Sequence, residues 1–381
     1  MRDKVHPDGR PTGTGDPISV SRRHLSVLLV AILFLVLGSL VGLARIGWDL
    51  PFPAAFVGAH GPLMVSGFLG TLIVLERAVA LGSRWGFVGP SATAAGAVAL
   101  LLEPLRFLGP LLILYGTVLG VLLFADVARR HPSPATGLIF LGSLSWLAGN
   151  LLWAATWPDL LSGPAVVFWI GFPVLVIVGE RLELSRVLRP SSASMGALVV
   201  LAGAFLVGAA LPSLGRMGGS HLAGAALVGM ALWLLTQDIA RVQLRAGGLA
   251  RYVAVALIPG YVWLAAGGVL LFLPHPFVVP YAYDAMLHAI FLGFVMSMIF
   301  AHAPIVFPSL LGGPLAFRPF LYGPLALLQA SVVSRVLGDV VGGADLRAAA
   351  GLLNVLAVLG FLGSTVAARR AGARESTSAA G

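Results

Sequence analysis

Residues 25–47 read LSVLLVAILFLVLGSLVGLARIG, an apolar run with no charge before Arg45. At 1.5 Å of rise per residue, about 20 such residues cross a bilayer core of about 30 Å. The rest of the chain repeats this pattern. Of 381 residues, 58% are hydrophobic and 10% charged, and the mean hydropathy is +0.97. An ordinary soluble domain is about 25% charged. A water-soluble core cannot hide so much apolar side chain, so the composition predicts an integral membrane protein.

Arg, Pro and Gly punctuation divides the chain into twelve spans, at 25–47, 55–82, 87–103, 106–127, 135–156, 163–188, 193–213, 221–240, 252–273, 281–308, 317–338 and 348–368. The expected architecture is all-α: one twelve-helix domain over 25–368 between disordered tails at 1–24 and 369–381. Alternate ends of the spans differ in charge. Nineteen of the 24 Lys and Arg fall on the side shared by both termini, and five (Arg45, Arg106, Arg216, Arg335, Arg347) on the other. The positive-inside rule then places both termini in the cytoplasm, in a cell's inner or plasma membrane. The net charge of +9 is spread along loops on one membrane face, so the bilayer is the expected partner and nucleic acid is not.

With no cysteine, the chain has no disulfide, no thiolate metal site and no covalent haem attachment. Zincin, serine-hydrolase and P-loop motifs are also missing from the sequence. Redox chemistry would fall to the eight histidines. His6, His24, His131 and His275 lie in tails or loops and read as solvated, and His221 opens span 8. His60 on span 2, and His288 and His302 on span 10, lie within the membrane, where an ionisable side chain is costly and marks a functional site. His60 and His288 each sit roughly 9–10 Å below the outer edge, counting residues from the start of their spans. Equal depth on two helices suits two axial nitrogens facing one haem iron. Gly67, seven residues beyond His60, is placed on the same helical face, where it would leave room for a flat macrocycle. Interhelical hydrogen bonding of structural histidines, or a transport site, are the alternatives.

His302 lies 14 residues past His288 and roughly 21 Å deeper. At that depth lie Glu76 and Arg77, Glu180 and Arg181, and Gln237 and Asp238. These form an expected inner polar cluster of ion pairs, or a proton or ion entry, or a second metal site built on His302 and a carboxylate. Spans 2, 6 and 10 share this polar inner end at regular intervals, which fits three arcs of four helices.

Twelve spans with both termini inside, His60-Gly61-x-x-Met64 near the outer end of span 2, and His288 near that of span 10 resemble subunit I of the haem-copper oxidase superfamily. The outline is similar to NnrS, a smaller twelve-helix haem- and copper-containing membrane protein linked to the nitric oxide response. The resemblance covers the chain in topology, and in residues only spans 2 and 10. It implies that His60 and His288 ligate a haem b, with Arg335 or Arg347 meeting the propionates. Electron transfer to a redox partner, or binding of a small diatomic such as nitric oxide, would follow. Met64 is an alternative ligand. Spans 6 and 7 hold no histidine, so the oxidase copper site, and with it oxygen reduction, is not expected. Nor does Ala59-His60-Gly61-Pro62 reproduce the denser His-x-His-Glu-Met run of NnrS-like chains. The alternative functions are a proton- or ion-coupled secondary transporter and a non-catalytic assembly protein. Trp48, Trp153, Trp157 and Tyr281 at outer span ends fit an aromatic belt.

Overall fold

The computed structural model describes residues 22–157, 163–272, 280–311 and 316–378. His6, His275 and most of the predicted N-terminal tail lie outside them. Among the described residues there is no strand, and eleven helices are long and apolar enough to cross a membrane. They are α1 Leu25–Arg45, α2 His60–Ala80, α4 Leu108–Arg130, α5 Pro134–Ala155, α6 Gly163–Leu188, α7 Ser192–Leu214, α8 Gly219–Gln237, α9 Gly248–Phe272, α10 Tyr281–Pro308, α11 Pro319–Val341 and α12 Ala344–Arg374. The remaining predicted span, α3 Trp85–Leu101, is apolar but shorter. Its C-terminal end is set by Leu102, which turns extended ahead of Glu103-Pro104. Small residues press α3 onto α4 instead: a Cβ at Gly96 would lie 2.8 Å from the Gly109 carbonyl, and one at Gly116 would lie 2.6 Å from that of Gly89. Close backbone approach of this kind is the usual basis of membrane helix pairing. The chain is an all-α multi-pass membrane protein.

Each helix packs on the next in sequence, and α12 returns to α1, so the twelve close into a ring. Within it α2, α6 and α10 are the most buried, with 61%, 83% and 61% of their apolar windows inside, against 28–50% for the other spanning helices. One helix in four is thus internal, as three arcs of four require. The outer helices turn Leu29, Leu33, Val200, Val262 and Val333 outward, which suits contact with lipid. Two of the inner helices share a backbone irregularity: α2 is π-helical over Leu63–Gly70 and α10 over Ala289–Met296. Such segments are rare and gather at functional sites.

Candidate cofactor site between α2 and α10

The first π-helical residue follows His60 by three positions and His288 by one. His60 lies in a notch on α1 made by two glycines. Its Nδ1 is 2.8 Å from the Gly38 carbonyl, and a Cβ at Gly42 would come within 2.9 Å of its Cε1. His288 closes the first α-helical stretch of α10, with Nδ1 2.6 Å from the Asp284 carbonyl. A carbonyl can only accept, so each ring carries its proton on Nδ1 and keeps the lone pair on Nε2. Neither Nε2 has a hydrogen-bond partner among the described residues. Metal-bound histidines are held in this same way, by donation from the second nitrogen.

Both histidines line one cavity at the predicted outer end. It is a partly open cavity of about 200 Å³. Phe68, Trp169, Phe291, Val295 and Val358 make apolar walls, with Arg45, Asp284 and Arg335 on the polar side. Met64 also lines it, and its sulfur rests in the Gly38 notch, where a Cβ would be 2.5 Å away. Residues 23–370 match the family model described as Domain of unknown function (DUF8744). The chain belongs to the DUF8744 family. A search of curated proteins finds no match.

The arginines of this DUF8744 site are held by two aspartates. Arg335 Nε donates to Asp339 at 3.1 Å, and its guanidinium is 3.5 Å from Asp284. Arg347 bonds Asp339 at 2.6 Å and Asp284 at 2.8 Å, with its guanidinium 4.3 Å from the centre of the Tyr281 ring. The four side chains are neutral in sum, and through Asp284 they brace the residue whose carbonyl orients His288. Arg335 reaches the cavity; Arg347 stands behind it. Arg45, overlooked in the sequence, lines the cavity and makes no ion pair among the described residues. No spacing rule joins it to His60, because the two line the cavity from different helices.

Gly67 is not where the sequence reading put it. A Cβ there would meet Ala97 at 3.1 Å and Phe34 at 3.3 Å, so Gly67 serves packing against α3 and α1 rather than the cavity. Seven residues return to one face only in an α-helix, and the wider i→i+5 turn over Leu63–Gly70 breaks that phase. Gly38 and Gly42 on the neighbouring helix make the room instead. Trp153 also departs from the expected belt: it is 1% exposed, turned inward against Trp169. Trp48 ties chain segments together by donating to the Ala348 carbonyl at 3.1 Å.

The inner cluster forms as two ion pairs. Arg77 on α2 meets Glu180 on α6 at 3.0 Å. Arg181 on α6 clasps Asp238 beyond α8 with two bonds of 2.8 Å, where Ser185 adds a third at 3.1 Å. Both partners are almost fully buried, at 3% and 1% exposure. Glu76 is half-buried and unpaired among the described residues. His302 is not a second metal ligand in this geometry: Nδ1 donates to the Met298 carbonyl at 2.8 Å, and Nε2 accepts from Arg181 at 3.3 Å. No ring lone pair is left. Among the described residues no group of three or more His, Cys, Asp or Glu stands together for a metal. His131 is exposed at the end of α4, and His221 packs edge-on against Phe272 with ring centres 5.3 Å apart.

Proposed function

We propose that this DUF8744 protein is a b-type haem protein of the inner or plasma membrane, both termini cytoplasmic, with His60 and His288 as axial ligands. One observation carries the reading: two histidines from two inner helices line one cavity, each with Nδ1 bound to a carbonyl and Nε2 without a partner among the described residues. Arg335 and Arg45 on its polar side suit the carboxylates of such a cofactor. Two strong-field imidazoles favour electron transfer over gas chemistry, so nitric oxide or another diatomic binds only where one imidazole yields.

The test is the visible spectrum of the detergent-purified protein, oxidised and then reduced with dithionite. Sharp reduced bands of a six-coordinate b-type haem are expected. His60→Ala and His288→Ala abolish them, and His221→Ala leaves them intact. An unaltered spectrum in both of the first two variants overturns the assignment.

A further inference from the structure

Three indoles run in contact from the cavity wall toward the Arg106 end of the bundle. Trp169 on α6 lines the cavity, and its six-membered ring would stand 3.7 Å from a Cβ at Gly61, beside His60. The Trp153 ring centre lies 5.6 Å from that of Trp169, at an interplanar angle of 67°. Trp157 follows at 5.6 Å and 89°. The Arg106 guanidinium sits 5.6 Å over the Trp157 ring. Trp169 and Trp153 are buried, at 2% and 1% exposure, and Trp157 at the far end is half-buried. These are edge-on aromatic contacts within the favourable range.

Two features set this series apart from interfacial aromatic anchoring. An anchor presents its indole N–H to the headgroup region, whereas Trp153 is buried and its Nε1 has no hydrogen-bond partner among the described residues. Trp169 is instead fixed in place, donating to Asn150 Oδ1 at 3.0 Å. Asn150 accepts from Ser66 at 3.4 Å and donates to Thr117 at 2.8 Å, so the inner end is tied to α2 and α4. Arg106 over the outer ring places a positive charge where a donor's electron would enter.

We propose that Trp157, Trp153 and Trp169 form an electron path between the Arg106 end of the protein and the cavity. The proposal rests on the haem reading of that cavity. A one-electron reductant meeting Trp157 loses one electron, which tunnels through the three π systems and reduces ferric iron held by His60 and His288 to ferrous. No bond forms or breaks, no proton moves, and no indole is left oxidised. Contacts between rings replace gaps through aliphatic packing, across which electronic coupling decays faster.

Because the native chain has no cysteine, Ala155→Cys creates a single attachment point for a ruthenium polypyridyl photosensitiser two residues from Trp157. In the haem-loaded protein, a flash in the presence of a sacrificial donor reduces the label, and haem reduction is followed by absorbance. Trp153→Leu and Trp157→Leu, each at full haem occupancy and unchanged midpoint potential, slow that step by about tenfold or more. Trp233→Phe, a buried indole on α8 that bonds only Ser194 among the described residues, leaves the rate unchanged. Wild-type rates in both leucine variants overturn the path. In the haem-free protein, flash-quench oxidation of the same label takes one electron from Trp157, and the indole radical is read by electron paramagnetic resonance. Its yield falls in Trp157→Leu, and an undiminished yield overturns the path without reference to haem. A protein that never takes up haem fails the cavity reading instead, by its spectrum.

Discussion

Gly42 separates a ligand role for His60 from a packing role. A Cβ at this position would stand 2.9 Å from the ring's Cε1 and 3.3 Å from Nδ1, so Gly42→Ala pushes the imidazole rather than removing it. Overpacking of this kind costs about 1–3 kcal/mol, which a folded protein of this size tolerates. The haem spectrum of Gly42→Ala is expected to lose its six-coordinate character while the protein still purifies as a folded monodisperse species; an unchanged spectrum counts against axial ligation. At the other end of the bundle, charge decides. Asp238→Ala leaves Arg181 buried without its partner, a loss of about 3–5 kcal/mol for a broken internal pair. Glu183→Ala removes an exposed partner of Arg186, where the pair is worth about 1 kcal/mol or less. Thermal unfolding in detergent is expected to fall sharply in the first variant and barely in the second. The histidine pair was legible from counting residues along two apolar runs. The notch of Gly38 and Gly42 was not, because glycines acquire that meaning only when another helix is laid against them.

The two π segments belong to the scale of the element. Both begin within three residues of a site histidine, and both lie on inner helices. Deleting one residue, such as Leu63, from Leu63–Gly70 allows the stretch to close as α-helix, which removes the widened turn next to His60 and shifts the ring against the α1 notch and the cavity. The expected result is loss of the haem spectrum with far-ultraviolet circular dichroism unchanged. A retained spectrum argues that the π geometry is incidental to the site. Nothing in the local sequence pattern signals this winding, since Leu63–Gly70 and Ala289–Met296 read as ordinary apolar helix. That is why the placement of Gly67 by α-helical period failed. The short α3 was equally hidden: its sequence is as apolar as a span, and the extended Leu102 before Glu103-Pro104 is what ends it.

For the whole molecule, closure of α12 onto α1 makes α2, α6 and α10 an inner set joined by Arg77–Glu180, Arg181–His302 and the shared cavity. The cavity and the ion pairs occupy opposite ends of these helices, so the molecule is polarised along the membrane normal. The 19 to five division of basic residues predicts that the cavity end faces outward. In the cysteine-free chain, Glu103→Cys and Pro132→Cys lie in exposed connections at opposite ends of α4. A membrane-impermeant thiol reagent applied to intact cells is expected to label the first and spare the second. The reverse pattern inverts the topology and places the cavity on the cytoplasmic side.

Hydropathy and charge, being sums over residues, are complete in the sequence. They determined the all-α multi-pass class, the number of apolar segments within one short helix, the depth match of His60 with His288, and the polar inner ends of spans 2, 6 and 10. Which atoms meet across helices is set by rotation about each axis, and one π turn or one glycine notch changes it. Tertiary structure therefore decided that Nδ1 of His60 is taken by the Gly38 carbonyl, that Asp284 and Asp339 together hold Arg335 and Arg347, and that Arg181 occupies His302. It also decided that Trp153 faces the interior. Apart from Arg335 to Asp339, which bond within one helix, these contacts join different helices and form only when the helices pack together.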